Sequence, residues 1–232
     1  MNRAIILSAG SGKRMNSNVK KQYMQLLQKP LVYYTLKAFE TCEEIDDIIM
    51  VISEEDEEYI GKEIILKYGL KKISTIAYGG KERYNSVYNA LKYIEDNDIV
   101  LIHDGARPFV DSGLIHRLIK ITQQGEACIT AVKTKDTVKI VAKDGYVSFT
   151  PDRNNVWNVQ TPQVFVGVDI KKAYEQMMQH SDENVTDDAM VMEKYGTKCV
   201  KVVEGSYENI KITTPDDIKV AEMLISKYEK MA

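Results

Sequence analysis

The chain has 232 residues, 44% of them apolar and 28% charged, which predicts one sizeable α/β domain over residues 1–232, or one domain with a small appendage. Its 31 basic residues are balanced by 34 acidic ones, so nucleic-acid binding through a basic surface is not expected. No stretch approaches the ~20 apolar residues of a membrane span, and three widely spaced cysteines favour a reducing cytoplasm over a disulfide framework.

The first predicted element is a short buried strand, Ala4–Leu7, which runs into the sequence SAGSGKR at residues 8–14. Small residues followed by cations are typical of a phosphate site, because glycines let backbone N–H groups approach an anion that the cations neutralise. The spacing fits neither common phosphate motif. Met15 stands where a dinucleotide fingerprint needs its third glycine, and Arg14 stands where a P-loop needs Ser or Thr. Alone, the motif leaves a phosphate site and an ordinary tight turn equally open.

Strands and helices then alternate as far as residue 132. Apolar strands are predicted at Asp47–Ser53, Lys72–Ala77, Asp98–Ile102 and Glu126–Val132, with helices at Glu54–Tyr68, from Lys81, and from Asp111 or Ser112 to Gln124. This order predicts a doubly wound, mostly parallel, Rossmann-like sheet whose ligands bind beyond the carboxyl ends of the strands. Polar clusters at residues 10–14, 79–83 and 104–107 follow predicted strands directly, so we expect them at that edge, with solvated turns as the plain alternative.

The alternation ends at Lys133. Short β-type runs at Thr137–Ala142 and Tyr146–Thr150 flank Asp144-Gly145, a strong hairpin signal. Residues 133–156 are therefore predicted to form an arm that projects from the domain. Exposed strand edges are best protected by a partner subunit, so we expect a homodimer formed through the arm.

After the arm, helices are predicted from Asp169 and at Thr186–Tyr195, strands at Cys199–Val203 and Asn209–Thr213, and a last helix with Thr214 as its N-cap. Lys211 lies between two isoleucines of the second strand. Strand alternation places its side chain opposite theirs, either on a solvated face or in a cleft.

The sequence lacks a recognisable nucleophile–base motif. His116 and His180 are expected at the surface, and His103 is expected to be a structural hydrogen-bonding residue. What recurs is glycine, cation and a single carboxylate, which suits phosphoryl or nucleotidyl transfer because the protein there positions groups and neutralises charge. A phosphate monoester acceptor is already largely ionised and needs no general base. Mg²⁺ prefers one or two carboxylates plus substrate phosphates, and Asp104 is the candidate carboxylate.

Nine motifs in chain order resemble those of the 2-C-methyl-D-erythritol 4-phosphate cytidylyltransferases of the non-mevalonate isoprenoid pathway. They are SAGSGKRM (8–15), KQY (21–23), GGKERYNSV (79–87), HDGARPFV (103–110), DTVK (136–139), PDRN (151–154), QTPQVF (160–165), TDDA (186–189) and ENIKITTPDD (208–217). The resemblance implies that CTP and the polyol phosphate 2-C-methyl-D-erythritol 4-phosphate react, with Mg²⁺, to give the CDP-linked alcohol and pyrophosphate.

The resemblance also implies residue roles. The residues implied to be catalytic are Arg14 and Lys21, as cations on the triphosphate, Lys211, which touches the α-phosphate and positions the attack, and Arg153, which also binds the acceptor. Those implied to bind the nucleotide are Ala9, Gly10, Gly12, Gly80, Ser86, Asp104 and Ala106. Those implied to bind the acceptor are Asp104, Arg107, Thr137, Arg153, Thr161 and Lys211. Some acceptor contacts are implied to come from the second subunit's arm.

The sequence departs from the usual family pattern at three positions. Ser8 replaces alanine, Lys20 replaces proline and adds a charge beside Lys21, and Gly105 replaces alanine. Two other functions stay open. A sibling cytidylyltransferase that uses ribitol 5-phosphate is disfavoured by the residues around Gly105 and by the lead-in to QTPQ. A non-catalytic nucleotide-binding module would need neither Lys211 nor Arg153.

Overall fold

The centre of the fold is a seven-stranded sheet within residues 1–10, 19–180 and 184–229, the ranges that the computed structural model describes. The strands in chain order are β1 (Asn2–Leu7), β2 (Gln25–Leu26), β3 (Lys29–Pro30), β4 (Asp47–Ile52), β5 (Ile73–Tyr78), β6 (Ile99–Asp104), β7 (Ala127–Lys133), β8 (Ile140–Val141), β9 (Val147–Phe149), β10 (Trp157–Val166) and β11 (Val200–Glu204). Strands β2 and β3 pair with each other, as do β8 and β9, and the other seven form the main sheet.

The helices flank this sheet. They are α1 (Leu31–Thr41), α2 (Glu57–Tyr59), α3 (Arg83–Leu91), α4 (Ser112–Thr122), α5 (Gly167–His180), α6 (Asp188–Tyr195) and α7 (Pro215–Glu229). Short 3₁₀ turns occur at Lys21–Tyr23, Glu54–Asp56 and Arg153–Asn155, and residues Ile60–Leu66 form a π-helix that continues α2. The predicted helix Glu54–Tyr68 is therefore helical but mostly not α-helical.

The strand order is β5-β4-β1-β6-β10-β7-β11. Every pairing is parallel except those of β10, which runs antiparallel to both β6 and β7. The chain moves from β1 outward to β4 and β5, then returns to place β6 on the other side of β1. The switch point between β1 and β6 opens a crevice at their carboxyl ends, where ligands of such sheets bind. The predicted mostly parallel α/β sheet is confirmed.

Both faces of the sheet are covered, which is why its central strands read as continuous apolar runs. In β4 all six residues are buried. Ile48 and Met50 pack in one layer with α1 and α4, whereas Ile49 and Val51 pack in the other with α3, α5 and α6. This is the alternation that a strand backbone imposes.

The predicted strand Asn209–Thr213 is wrong. The segment is a loop, and individual hydrogen bonds hold it in place instead of the regular hydrogen-bond ladder of a β-sheet. The Asn209 side chain donates to the Thr161 carbonyl at 2.9 Å, and the Ile212 N–H donates to the Ala106 carbonyl at 2.9 Å. Ile212 also packs in a small apolar cluster under α7. These contacts direct the neighbouring Lys211 towards the switch point.

The predicted hairpin is present as β8 and β9. Gly145 adopts a positive φ of 88°, the conformation that glycine supplies in a tight turn. The large apolar side chains of the hairpin are exposed, namely Ile140, Val141, Tyr146, Val147 and Phe149. At its base, the Tyr207 hydroxyl donates to the Lys133 carbonyl at 2.8 Å. No helix in the described ranges combines the length and the apolar character that crossing a bilayer requires.

Candidate active site

A cavity of about 530 Å³ lies at the switch point, beyond the carboxyl ends of β1 and β6. Eight of the residues that the sequence singled out line it: Ala9, Gly10, Lys21, Gly80, Ser86, Asp104, Ala106 and Lys211. Its lining also includes Gln22, Lys81, Glu82, Arg83 and Thr213, to which the sequence assigned no role. Among the described lining residues, four cations face two carboxylates, so the cavity favours an anionic ligand.

The turns that form the cavity floor approach one another closely. A Cβ on Gly79 would lie 2.3 Å from the Ala9 Cβ, and a Cβ on Gly105 would lie 2.2 Å from the Ser8 Oγ. Gly10 differs, because a Cβ there would meet no atom of the described residues within 4 Å. Gly79 and Gly105 are therefore required by packing, whereas packing against the described residues does not require Gly10.

Two of the departures from the family pattern explain each other. The Ser8 hydroxyl occupies the space that an alanine methyl group at residue 105 would need. The larger side chain just after β1 is matched by the smaller residue just after β6, so the side-chain volume between these two turns is nearly conserved.

Asp104 ends β6 and is the charged centre of the cavity. Lys211 Nζ lies 2.8 Å from Asp104 Oδ2, and the Nε atoms of Arg83 and Arg107 each lie 3.6 Å from its carboxylate. Its backbone N–H donates to the Thr161 hydroxyl at 3.1 Å. Burial alone would raise the pKa of Asp104, but the charges of Arg83, Lys211 and Arg107 hold it well below its usual range. We call the side chains of Asp104, Arg83, Arg107 and Lys211 the Asp104 cluster.

Arg83 is itself held by a second carboxylate. Its two terminal nitrogens donate to the two oxygens of Asp188 at 2.9 and 2.7 Å, and the Tyr174 hydroxyl donates to Asp188 at 2.6 Å. Asp188 is fully buried at the start of α6. Burial opposes the charge on Arg83, but the carboxylates of Asp188 and Asp104 raise its pKa above the ordinary value. Arg83 belongs to the motif GGKERYNSV and Asp188 to the motif TDDA. Both motifs were recognised in the sequence, but neither indicates that these two residues contact each other.

His103 is structural, as predicted. It is fully buried, its Nε2 lies 3.0 Å from the Arg107 carbonyl, and its Nδ1 lies 3.1 Å from the Thr161 hydroxyl. Burial lowers the pKa of His103 to about 4, so the ring is neutral near pH 7. His116 and His180 are exposed, in agreement with the sequence.

The remaining predicted residues lie elsewhere. Arg107 and Thr161 stand behind Asp104 and do not line the cavity. Thr137 and Arg153 are exposed beside and within the arm, with Arg153 Nη1 3.5 Å from the Lys135 carbonyl. Gly12 and Arg14 lie outside the described residues.

The residues also permit a test of the expected Mg²⁺. No group of three or more Asp, Glu, His or Cys side chains among the described residues forms a metal-binding cluster. A lone ionised carboxylate such as Asp104 fits Mg²⁺ that is held mainly by substrate phosphates.

The chain was compared with known proteins. The family model described as 2-C-methyl-D-erythritol 4-phosphate cytidylyltransferase matches residues 3–227. The chain belongs to this family. A member from Clostridium botulinum (strain Okra / Type B1) is 48% identical over 227 residues, which cover 97% of this chain and 98% of the relative. A member from Lachnoclostridium phytofermentans is 45% identical over 226 residues and 97% of both chains.

Solved structures of the family share the fold. The 4-diphosphocytidyl-2C-methyl-D-erythritol synthase from Anaerococcus prevotii is 40% identical, has a TM-score of 0.84, and matches over 97% of this chain and 95% of its own. The cytidylyltransferase from Francisella tularensis is 35% identical, with a TM-score of 0.78 over 96% of this chain and 99% of its own.

We predict that Ser8 and Gly105 are energetically coupled. Gly105→Ala should lower the free energy of unfolding by ~1–3 kcal/mol, the usual cost of overpacking. Ser8→Ala should recover part of that loss, because the Leu7 carbonyl oxygen, 2.9 Å from the added Cβ, stays in place. Urea unfolding of both single variants and the double variant measures the coupling. Gly61→Ala is the matched control, since a Cβ there meets nothing within 4 Å. Additive effects of the two substitutions would contradict the coupling.

We predict that His103 makes stability fall on mild acidification. Its folded pKa of about 4 lies below the ordinary 6.5, so between these values the unfolded chain binds the extra proton. Lowering the pH from 7 to 5 should cost ~2 kcal/mol of unfolding free energy through this group. The contribution of Asp104 is lost only at pH values below its unfolded pKa of 3.8, outside this window.

Urea unfolding at pH 7 and pH 5 measures the effect of His103. His103→Gln should flatten the difference between the two pH values, whereas the exposed control His116→Gln should keep it. An unchanged difference in His103→Gln would show that other groups set the acid sensitivity.

Proposed function

We propose that this chain transfers the cytidylyl group of CTP to 2-C-methyl-D-erythritol 4-phosphate. The products are 4-diphosphocytidyl-2-C-methyl-D-erythritol and pyrophosphate. The observation that carries the proposal is the switch-point cavity of a chain of this family, where a glycine turn, Lys21 and the Asp104–Lys211 pair meet.

The reaction is an in-line displacement at the α-phosphorus of CTP. An oxygen of the acceptor phosphate forms the new P–O bond, and the bond between the α-phosphorus and the bridging oxygen to the β-phosphate breaks, releasing pyrophosphate. The acceptor phosphate is already ionised, so no side chain has to remove a proton. His103, buried and neutral behind the cavity, is not needed as a base.

Charge placement is the main work of the side chains. The backbone of Ala9 and Gly10 cradles the nucleotide phosphates, and Lys21 neutralises the triphosphate together with Arg14. Lys211 contacts the α-phosphate from its position on Asp104, which fixes its ammonium group before substrate arrives. A preorganised cation of this kind stabilises developing negative charge without reorganising at the moment of reaction.

The base and the ribose of CTP are recognised by a different part of the cavity, formed by Gly80, Ser86, Asp104 and Ala106. The Gly80 N–H donates to the Ser86 hydroxyl at 3.0 Å, which fixes the turn that reads cytosine. Asp104 and Ala106 face the ribose side of the cavity. Mg²⁺, bound by the triphosphate oxygens and Asp104, would supply further charge neutralisation.

The acceptor site is completed by a second copy of the chain. Thr137 and Arg153, two of the six implied acceptor residues, are not among those lining this chain's own cavity. The arm of residues 133–156 exposes five large apolar side chains, a composition that suits burial against a partner. A homodimer formed through the arm would bring Arg153 of one chain to the cavity of the other, on the side of Asp104 and Lys211.

The same proposal covers the setting of the enzyme. All three cysteines are free thiols, two of them buried. A reducing compartment such as the cytoplasm suits free thiols and the supply of CTP.

The first test measures pyrophosphate release from CTP with 2-C-methyl-D-erythritol 4-phosphate and, in parallel, with ribitol 5-phosphate. We expect turnover with the first acceptor and little with the second. Lys21→Ala should lower kcat by ~10²–10³, the scale for losing one charge-stabilising donor. Lys29→Ala, an exposed lysine eight residues on, is the control and should stay near wild type.

Three results would contradict these assignments. Preferred use of ribitol 5-phosphate would identify the sibling activity. CTP binding without turnover on either acceptor would identify a non-catalytic module. Normal turnover in Lys21→Ala would remove that residue from the site.

The second test asks whether the arm acts in trans. Arg153→Ala should raise KM for the acceptor while leaving CTP affinity nearly unchanged. Mixed dimers of Arg153→Ala and Lys211→Met subunits should regain about a quarter of wild-type activity, because half the dimers are hybrids with one intact site each. Deleting residues 137–150 should reduce the mass in solution to that of a monomer.

Each part of this test can fail separately. No recovery in the mixed dimers would place Arg153 in the cavity of its own chain. A dimeric mass after the deletion would show that other surfaces hold the subunits together.

A further inference from the structure

The segment Lys20–Tyr23 contacts two separate parts of the fold, the turn after β1 at the cavity and the 3₁₀ turn after β4. Lys21–Tyr23 form a 3₁₀ turn whose first residue, Lys21, lines the cavity. The side chains on either side of Lys21 turn away from it, Gln22 towards β1 and Lys20 towards the turn after β4. Neither has a role in the chemistry described above.

Gln22 joins this segment to the turn after β1. Its Nε2 donates to the Ser8 carbonyl at 2.7 Å and to the Gly10 carbonyl at 3.0 Å. Both N–H groups of the amide are therefore used, and the side chain is only 4% exposed. An amide that satisfies two backbone carbonyls fixes their distance and orientation relative to its own backbone.

Lys20 and Tyr23 join the segment to the 3₁₀ turn Glu54–Asp56, which follows β4. Lys20 Nζ lies 2.8 and 2.9 Å from the two oxygens of Asp56 and also contacts Glu55. The Tyr23 hydroxyl donates to Asp56 at 2.9 Å. Burial disfavours the charge on Lys20, but the two carboxylates raise its pKa above the ordinary value. The charge that Lys20 adds beside Lys21 is thus paired with Asp56 and Glu55.

These contacts hold the two phosphate-binding elements in register. Gly10 belongs to the backbone cradle and Lys21 is the cation, and the two residues are eleven positions apart in the sequence. The Gln22 amide spans that separation directly, and the Lys20–Asp56–Tyr23 contacts anchor the same turn to the end of β4.

We propose that Gln22 is a positioning residue for the triphosphate of CTP, supported by the Lys20–Asp56–Tyr23 anchor. We call the two together the Gln22 clamp. The proposal rests on the proposed function, since it takes the cavity beside Gly10 and Lys21 as the triphosphate site. Fixing donors and a cation before binding lowers the ordering cost of binding and keeps them aligned in the transition state.

A purely structural role for Gln22 gives a different expectation. A buried amide that only supports the fold would, when replaced, lower stability and the amount of folded enzyme. The folded fraction would bind CTP as wild type does. CTP affinity, measured per folded molecule, therefore separates the two roles.

The experiment uses the full chain with Gln22→Met, which keeps the side-chain length and removes both N–H donors. CTP affinity is measured by calorimetry with Mg²⁺, alongside KM and kcat and urea unfolding. We expect CTP affinity to weaken by ~10- to 100-fold, the scale for misplacing a group that does not itself react. KM for the acceptor should change little. Gln25→Met, an exposed glutamine three residues on, is the matched control.

Lys20 gives a second route that does not disturb a buried side chain as deeply. Lys20→Met should weaken CTP affinity in the same direction, and Lys20→Arg should restore it because the ion pair to Asp56 re-forms. This pair decides the question if Gln22→Met does not fold.

The outcomes separate the clamp from the proposed function. Wild-type CTP affinity in folded Gln22→Met or Lys20→Met would overturn the clamp while leaving the activity intact. A wild-type protein that binds CTP without releasing pyrophosphate would overturn the proposed function, and the variants' affinities would still decide the clamp. Absence of CTP binding by the wild type would overturn both.

Discussion

Asp104 places a nearly buried negative charge at the carboxyl end of β6, and the arrangement of the cavity depends on how that charge is compensated. A carboxylate removed from water is costly unless cations and hydrogen bonds replace the solvent. Lys211, Arg83 and Arg107 do so from three different segments, the loop before α7, the start of α3 and the turn after β6. The electrostatic requirement of one side chain therefore draws distant parts of the chain to the switch point. Loss of one of these cations would weaken the compensation of the buried Asp104 charge, which the other two would then carry.

The antiparallel strand β10 carries the second set of constraints. Thr161 accepts the Asp104 N–H, so it fixes the end of β6. Two residues later, the Gln163 amide donates to Asp187 at 2.8 Å and accepts the Ala189 N–H at 2.8 Å, which fixes the start of α6. Asp188 lies at that helix start. Its carboxylate accepts two hydrogen bonds from Arg83 and orients the Arg83 side chain towards Asp104. Strand β10 therefore supports Asp104 in two ways. It contacts Asp104 directly through Thr161, and it acts indirectly through the start of α6 and Arg83 of α3.

Much of this could be predicted from the sequence, because parallel strands, buried on both faces, have a distinctive apolar pattern and the polar clusters follow them. Strands β1 and β4 to β7 with the helices from residue 54 onward, and the hairpin, were predicted in this way, whereas helix α1 and the short strands β2 and β3 were not predicted. The eight cavity residues were implied by the resemblance to the family. Three features could not be predicted. The segment Trp157–Val166 gave no alternation to reveal an antiparallel strand between β6 and β7. The stretch Asn209–Thr213 has strand-like residues but is fixed by the Asn209 side chain instead of a ladder. The Arg83–Asp188 pair spans 105 residues, and no local pattern indicates which carboxylate a given arginine will meet.

The small residues at the cavity floor show that two different physical demands produce similar sequence motifs. Glycine beside a phosphate site is usually explained by close approach of the ligand to the backbone. Here that explanation suits Gly10, where an added Cβ would meet no atom of the described residues within 4 Å. Gly79 and Gly105 are instead required by the turns beside them, since each would place a methyl group within 2.3 Å of a side chain at residue 9 or 8. Ser8 and Gly105 illustrate this constraint. The Ser8 hydroxyl lies where a methyl group at position 105 would be, and the glycine at position 105 has no methyl group. What constrains the residues at positions 8, 9, 79 and 105 is therefore the volume between neighbouring turns.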